Sequence, residues 1–469
     1  MRLLVGVLLL FLGTVSAKAE SHIELLNATL VAKFHFAEEA SDGQMVGAYQ
    51  VSFRNNGDTP LSTLSLLLNP GLTVEKVVGP GGKMLKTKSR MTPVQGFDYL
   101  ELNQVEVALT RPMLKNRIRR EIVVHYRGYL EDLSKTGLVG VKETLHPDFT
   151  MIRAQSFGYP VFADADRLSI QEAWTHKPFY QVAFLDIPGL NTVVGDLKIA
   201  QKTTDGDITK FEMKSEQPTG LMSLAIGPYQ QSPTDIIAIA KLAGRPDPTE
   251  LKLATEDQAA ILEDWLGPLP SGRRLTLVMT PEGFNSMRSG SSLFLPPNAM
   301  SPASGKASVK QALFSLWRTN TEARPNHWAN GLDNVLWSLV HDGEIWTNSR
   351  AALFDATKSG LSSFDKLHKT SIADFVVEGM EAAQEPVSAL AFAALHDLLG
   401  PDEFFALVRG LRADLSVGYA DMLSVADYLD RHIKDKKARR FANNWFSRGR
   451  IGKDMAKASS FDELVALYR

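Results

Sequence analysis

Hydrophobic periodicity changes once along this chain, near Ser232, and that change limits the fold more than any other feature. Before it, apolar and polar side chains alternate in short runs, as in Val31 to Phe36, Tyr49 to Phe53 and Ile122 to Tyr126. That is the period of strands with one buried face. Turn chemistry separates the runs, as at Asn55-Asn56-Gly57-Asp58. Asp205-Gly206, a pair that tolerates positive φ, predicts a tight hairpin between Leu197 to Ala200 and Ile208 to Met213. After Ser232 the spacing becomes helical. Thr255 and Gln258 predict a capping box ahead of an apolar face of Ile261, Leu262, Trp265 and Leu266. Leu275 to Met279 reads as a strand, and Ser289-Gly290-Ser291-Ser292 as a loop. Val309, Ala312, Leu313, Leu316 and Trp317 recur at the spacing of a core-facing helix stripe. Val387 to Leu399 predicts a helix stopped by Gly400, with Pro401 opening the next and Asp402 and Glu403 suiting its positive end.

The expected fold is multidomain α+β. Residues 20–232 form an N-terminal antiparallel β-sandwich or saddle, 233–305 a small α/β part, and 306–469 a mainly helical part. With 44% hydrophobic residues over 469 positions the chain can bury two or three cores.

The first residues bear on compartment. Arg2 precedes an apolar run from Leu3 to Leu12 and then small residues ending in Ala17-Lys18-Ala19. This is the pattern of a secretory signal peptide, 1–19, cleaved after Ala19. The run is shorter than the roughly 20 residues of a spanning helix, so no transmembrane segment is expected in the mature chain. The sequence contains no cysteine, which removes disulfides, thiolate nucleophiles and Cys-ligated metals, and fits export to a Gram-negative periplasm, or otherwise secretion. Loss of Arg2 and Lys18 leaves 49 basic against 53 acidic side chains, a balance that calls for no nucleic acid.

The order of β domain, small α/β part and helices is that of the aminopeptidase N-like family of gluzincin zinc metallopeptidases. Two segments resemble that family more closely. Phe157-Gly158-Tyr159-Pro160-Val161-Phe162 is similar to its aromatic-Tyr-Pro segment, and Leu224-Ala225-Ile226-Gly227-Pro228-Tyr229 to the strand closing its first domain. The resemblance implies a thermolysin-like second domain with a small sheet. It also implies a Gly-x-Met-Glu-Asn loop that grips the substrate's free amine in active members. Here that stretch reads Asn285-Ser286-Met287-Arg288-Ser289-Gly290, and Arg288 would repel an ammonium. The family's zinc helix, H-E-x-x-H-x-x-x-G-N, overlays Gln311 to Asn320, with Trp317 and Asn320 matching. Gln311 and Ser315 then replace the two histidines, and Ala312 the general base. A third ligand, a glutamate about nineteen residues further on, falls among Gly331, Leu332, Asp333 and Asn334, with Asp333 the acidic candidate. The oxyanion-stabilising tyrosine maps to Glu385, whose carboxylate would oppose a developing negative charge.

These departures lead to one expectation: an exported aminopeptidase-like pseudoenzyme that has lost its zinc and catalytic residues, needs no cofactor, and binds peptide or protein in the interdomain cleft. The cleft positions carried over are Met287, Arg288, Gln311, Ala312, Ser315, Asp333 and Glu385. Two alternatives stand beside it. One is a hydrolase with a displaced zinc site drawn from His327, Asp333, His341 and Glu344; the other is a structural envelope protein. No Gly-x-Ser-x-Gly elbow or P-loop occurs. From Arg431 to Lys453 there are nine basic residues against one acid, with Trp445 and Phe446 among them, which reads as the outer face of a closing helix with buried aromatics.

Overall fold

The computed structural model describes residues 23–37, 43–115, 120–136, 138, 140–174, 177–232, 236–245, 247–269, 274–317, 327–340, 343–363, 369–375, 381–414 and 422–469. Residues 1–19, where a signal peptide is expected, lie outside them.

The strands of the first half are β1 (Ile23–His35), β2 (Gln44–Asn55), β3 (Leu61–Leu68), β4 (Leu72–Val78), β5 (Lys86–Pro93), β6 (Glu101–Met113), β7 (Arg120–Gly128), β8 (Thr150–Arg153), β9 (Tyr180–Pro188), β10 (Thr192–Gly195), β11 (Lys198–Asp205), β12 (Ile208–Lys214) and β13 (Ser223–Gly227). They build a seven-stranded sheet in the order β11-β12-β9-β1-β2-β7-β4 and two three-stranded sheets, β3-β6-β5 and β10-β13-β8. The three alternating runs read from the sequence fall on β1, β2 and β7. The Asp205-Gly206 hairpin forms between β11 and β12, with Gly206 at φ 61°. Among the described strands of this half pairing is antiparallel with one departure: β9 runs parallel to β1. β9 reaches β1 only after the intervening strands, and such a long crossover allows a parallel partner where a hairpin would not.

Leu64, Leu66, Val105, Val107, Val124, Tyr49 and Tyr126 fill the core of this half. The Phe157-to-Phe162 segment ties its sheets together. Val161 exchanges two backbone hydrogen bonds with Leu67, at 2.8 and 3.0 Å. The Tyr159 ring lies 5.3 Å from that of Tyr49, and its hydroxyl donates to the Met222 carbonyl at 2.9 Å. A short helix, α1 (Arg167–Trp174), interrupts the strands; only Ile170 and Ala173 are buried along it, too few to show a helical period in the sequence.

The second half opens with a five-stranded sheet of β14 (Tyr229–Ser232), β15 (Ile237–Leu242), β16 (Leu275–Met279), β17 (Met287–Ser289) and β18 (Ser292–Leu295), in the order β14-β15-β16-β18-β17. β15, β16 and β18 run parallel and are buried on both faces, hence their nearly unbroken apolar sequences. Helix α2 (Thr249–Leu266) links β15 to β16. It corrects the expected capping box: the helix begins six residues before Thr255, whose hydroxyl donates back to the Leu251 carbonyl at 2.6 Å inside the helix. Ser289 to Ser292 is likewise a β17–β18 hairpin, turned at Gly290 with φ 50°.

The helices that follow are α3 (Pro302–Phe314), α4 (His327–Val340), α5 (Gly343–Ser363), α6 (Glu381–Leu399), α7 (Pro401–Asp414), α8 (Met422–His432), α9 (Lys436–Ala442), α10 (Ile451–Lys457) and α11 (Phe461–Ala466). The stripe from Val309 to Trp317 is buried, although α3 ends at Phe314 and a turn carries Leu316 and Trp317 into the core. α6 starts before the expected Val387 and contains Pro386, which near a helix start removes only one backbone bond. Trp445 and Phe446 are fully buried, so the aromatics in the basic stretch are core residues. Among the described residues no helix is long and apolar enough to cross a membrane.

Candidate functional site

Two polar clusters occupy the positions singled out by the sequence. The first is a seam where the β domain meets the β17–β18 hairpin. Residues two apart in a strand share a face, so Met287 and Ser289 point together. Arg153, at the end of β8, donates to the Met287 sulfur at 3.1 Å and to the Gly140 carbonyl at 2.8 Å. It also forms an ion pair with Glu143, and both side chains are buried. Burial pushes the Glu143 carboxyl up, against the lowering effect of Arg153. Ser289 donates its hydroxyl to Oδ2 of Asp196, which also accepts the Ser223 N–H at 2.9 Å. Burial raises the Asp196 carboxyl to about 7, although Ser289, Ser223 and Arg288 each pull it down. Arg288, between Met287 and Ser289, is exposed.

The second cluster lies between helices α3, α4, α6 and α7. α4 and α6 meet closely because residue 331 is glycine: a Cβ there would stand 2.3 Å from Ser388 Oγ and 2.7 Å from the Glu385 carbonyl oxygen. This approach brings Glu385 within reach of α4. Asn334 donates to Glu385 Oε1 at 2.9 Å and Asn330 to Oε2 at 3.4 Å. From α3, Lys310 donates its ammonium to the Asn334 side-chain oxygen. Burial depresses the Lys310 pKa, while Asp333 and Glu385 act to raise it. Asp333, 4% exposed, accepts from Arg412 of α7 at 2.7 Å.

The chain's fold is similar to that of several solved structures. At TM-score 0.58 and 14% identity it matches an M1 zinc metallopeptidase from Deinococcus radiodurans, over 92% of this chain and 95% of that one. A form of that enzyme described as bound to a Tyr-Ser-Ala substrate matches at TM-score 0.55 and 14% identity, with the same coverage. Native yeast LTA4 hydrolase matches at TM-score 0.56 and 14% identity, over 91% of this chain and 68% of that one. The fold is that of the two-domain M1 metallopeptidases. No family model matches the chain, and no curated protein matches it by sequence. At these identities the likeness to the M1 enzymes is one of fold.

Within that M1 fold the expected cleft positions separate. Met287 and Arg288 lie on β17, against which α3 packs, and Glu385 joins Lys310 through Asn334. Ala312 is fully buried in the apolar core and lines no open surface. Ser315 turns its hydroxyl back to the Ala312 carbonyl at 2.5 Å. Asp333 accepts from Arg412 of α7. The Gln311 side chain, the segment reaching Asn320, His341, and the side chains of His327 and Glu344 lie outside the described residues. Among the described residues no three His, Cys, Asp or Glu side chains are placed to hold a metal ion.

Sequence reasoning does not single out Lys310 or Asn330, and it names Asn334 in the third-ligand window only beside the preferred Asp333. Asn334 was countable, since it stands nineteen residues after Ser315. Its acidic neighbour drew attention instead, and only the helix rotation shows which of the two faces α3. Lys310 had no such signal, being one polar residue beside an apolar stripe.

Proposed function

We propose that this chain is an exported M1-like pseudoenzyme that binds peptide or protein at the interface of its two halves and does not hydrolyse it with zinc. The observation carrying the reading is the chain of contacts Lys310, Asn334, Glu385. A zinc site needs deprotonated donors converging on one point. Here the residue at the third-ligand spacing is a neutral amide whose oxygen already accepts from an ammonium and whose NH2 group already donates to a carboxylate. The Lys310 cation beside these groups repels a divalent ion. Ser315, placed by resemblance where the family has its second histidine, is bonded to the α3 backbone. The described residues at these positions do not fit zinc. Ala312 offers no proton acceptor. Interdomain clefts remain binding sites when chemistry goes, and Arg288 on β17 favours ligands without a free amine near it.

Export rests on Arg2, the Leu3-to-Leu12 run and Ala17-Lys18-Ala19. The test of function pairs two assays on the chain purified without chelator. Aminoacyl chromogenic amides are expected to remain uncleaved with zinc in slight excess, while a fluorescent peptide library gives saturable binding that favours blocked over free amino termini and weakens in Arg288→Glu. Hydrolysis that co-purifies with the protein and stops with chelator would overturn the proposal.

A further inference from the structure

The β17–β18 hairpin is held to the β domain by two fasteners of different chemistry. One is Arg153, whose charge is matched by Glu143 and which reaches Met287. The other is Asp196, in the connection from β10 to β11. Its Oδ2 accepts from Ser289 of β17 and from the Ser223 N–H of β13, whereas its Oδ1 is buried with no hydrogen-bond partner among the described residues. The residue is 6% exposed. Gly290 lets the hairpin come this close, because a Cβ there would lie 3.3 Å from Oδ1. The charged and titratable groups acting on this carboxyl are Arg288 from β17, which favours the anion, and the buried Tyr159 hydroxyl beside the sheet junction. Burying a carboxylate with one oxygen unsatisfied costs free energy that the neutral acid largely avoids.

We infer that Asp196 is a pH-dependent latch between the β domain and the β17–β18 hairpin, closed when its carboxyl is neutral and loosened when it ionises. The inference stands on the seam itself and does not depend on what the cleft binds. Its direction follows from the closed state holding the proton that the open, hydrated carboxyl has released. Closure is therefore strongest in acid, weakens as pH rises toward about 7, the value burial gives this carboxyl, and changes little above that. Arg153 reaches Met287 and not Asp196, so the hairpin should loosen first at its Ser289 end.

The test is hydrogen exchange by mass spectrometry on the whole chain between pH 5 and pH 8, with rates corrected for intrinsic exchange. The reporter is the 284–291 peptide, and amides of β2 are the internal control. Native protein should lose protection in 284–291 by up to about tenfold per pH unit below pH 7, with a plateau above, while β2 does not change. Asp196→Asn should hold its protection across the range. Ser289→Ala, which removes a donor that stabilises the anion but keeps the carboxyl, should shift the midpoint upward and covers the case in which the first variant folds poorly. Flat protection in the native chain, an undiminished pH response in Asp196→Asn, or an unmoved midpoint in Ser289→Ala would each overturn the latch.

Discussion

At the β17 seam the buried Asp196 carboxyl accepts, among the described residues, from a hydroxyl and a backbone N–H through one oxygen, whereas in the helical cluster Asp333 accepts from a guanidinium and Glu385 from two amides. Both sites are polar groups taken out of water. In the helical cluster Arg412 pairs with Asp333 and Asn334 links Lys310 to Glu385, so the cost of burial is offset locally and the arrangement acts as a brace. At the seam the offset is partial, and the interface keeps a proton it would otherwise lose. The same M1-like scaffold thus carries one polar site braced by partners on neighbouring helices and one whose charge state follows pH.

Removing a partner from the braced site should have the largest effect. Arg412→Met takes the guanidinium from Asp333, and breaking a buried pair in this way costs about 3 kcal/mol or more. Urea denaturation at pH 7 should show the midpoint fall with little change in slope. A loss near zero would mean the pair is not the brace described.

The seam should respond in the opposite sense. The folded Asp196 carboxyl titrates at about 7, above its ordinary 3.8, so the unfolded chain releases this proton first and stability falls as pH rises from about 4 to 7. Asp196→Asn removes that fall. It should be more stable than the native chain by about 2 kcal/mol at pH 8, with the difference shrinking toward pH 5 in parallel urea titrations. A variant less stable at every pH would contradict the contrast drawn here.

Lys310→Met probes the middle of the braced site. It keeps the apolar stem but removes the donor to Asn334, at a cost of about 1 to 2 kcal/mol in the same assay. Pairing it with Glu385→Gln in a double-mutant cycle should give a coupling above about 0.5 kcal/mol. Additive effects would show that the lysine and the carboxylate act independently. The smallest effect belongs to a half-buried pair: Arg54→Met, which breaks the contact with Glu24 near the start of β1, should cost about 1 kcal/mol, partly lost in high salt.

Legibility from sequence followed the range of the interactions. Strand alternation, the Asp205-Gly206 turn, the Leu275-to-Met279 strand and the stop at Gly400 are local properties, and each appears where the residues indicated. α1 was missed because two buried residues cannot display a period, and α2 was started late because Thr255 satisfies its hydroxyl within the helix. The site was legible only in outline. Glu385 and the stretch around Asp333 were located by spacing, but whether Asp333 or Asn334 faces α3 depends on helix rotation, which Gly331 fixes through its contact with α6. Asp196, Arg153 and Glu143 lie far in sequence from the hairpin they hold, and no local pattern announces them.

The most direct measurement is zinc stoichiometry by elemental analysis on chain purified without chelator or a metal-binding tag and offered zinc in slight excess, with thermal unfolding followed in parallel. The account predicts substoichiometric zinc and an unfolding temperature indifferent to both zinc and chelator. One tightly bound zinc per chain, lost on substituting Gln311, Asn334 or Glu385, would contradict it.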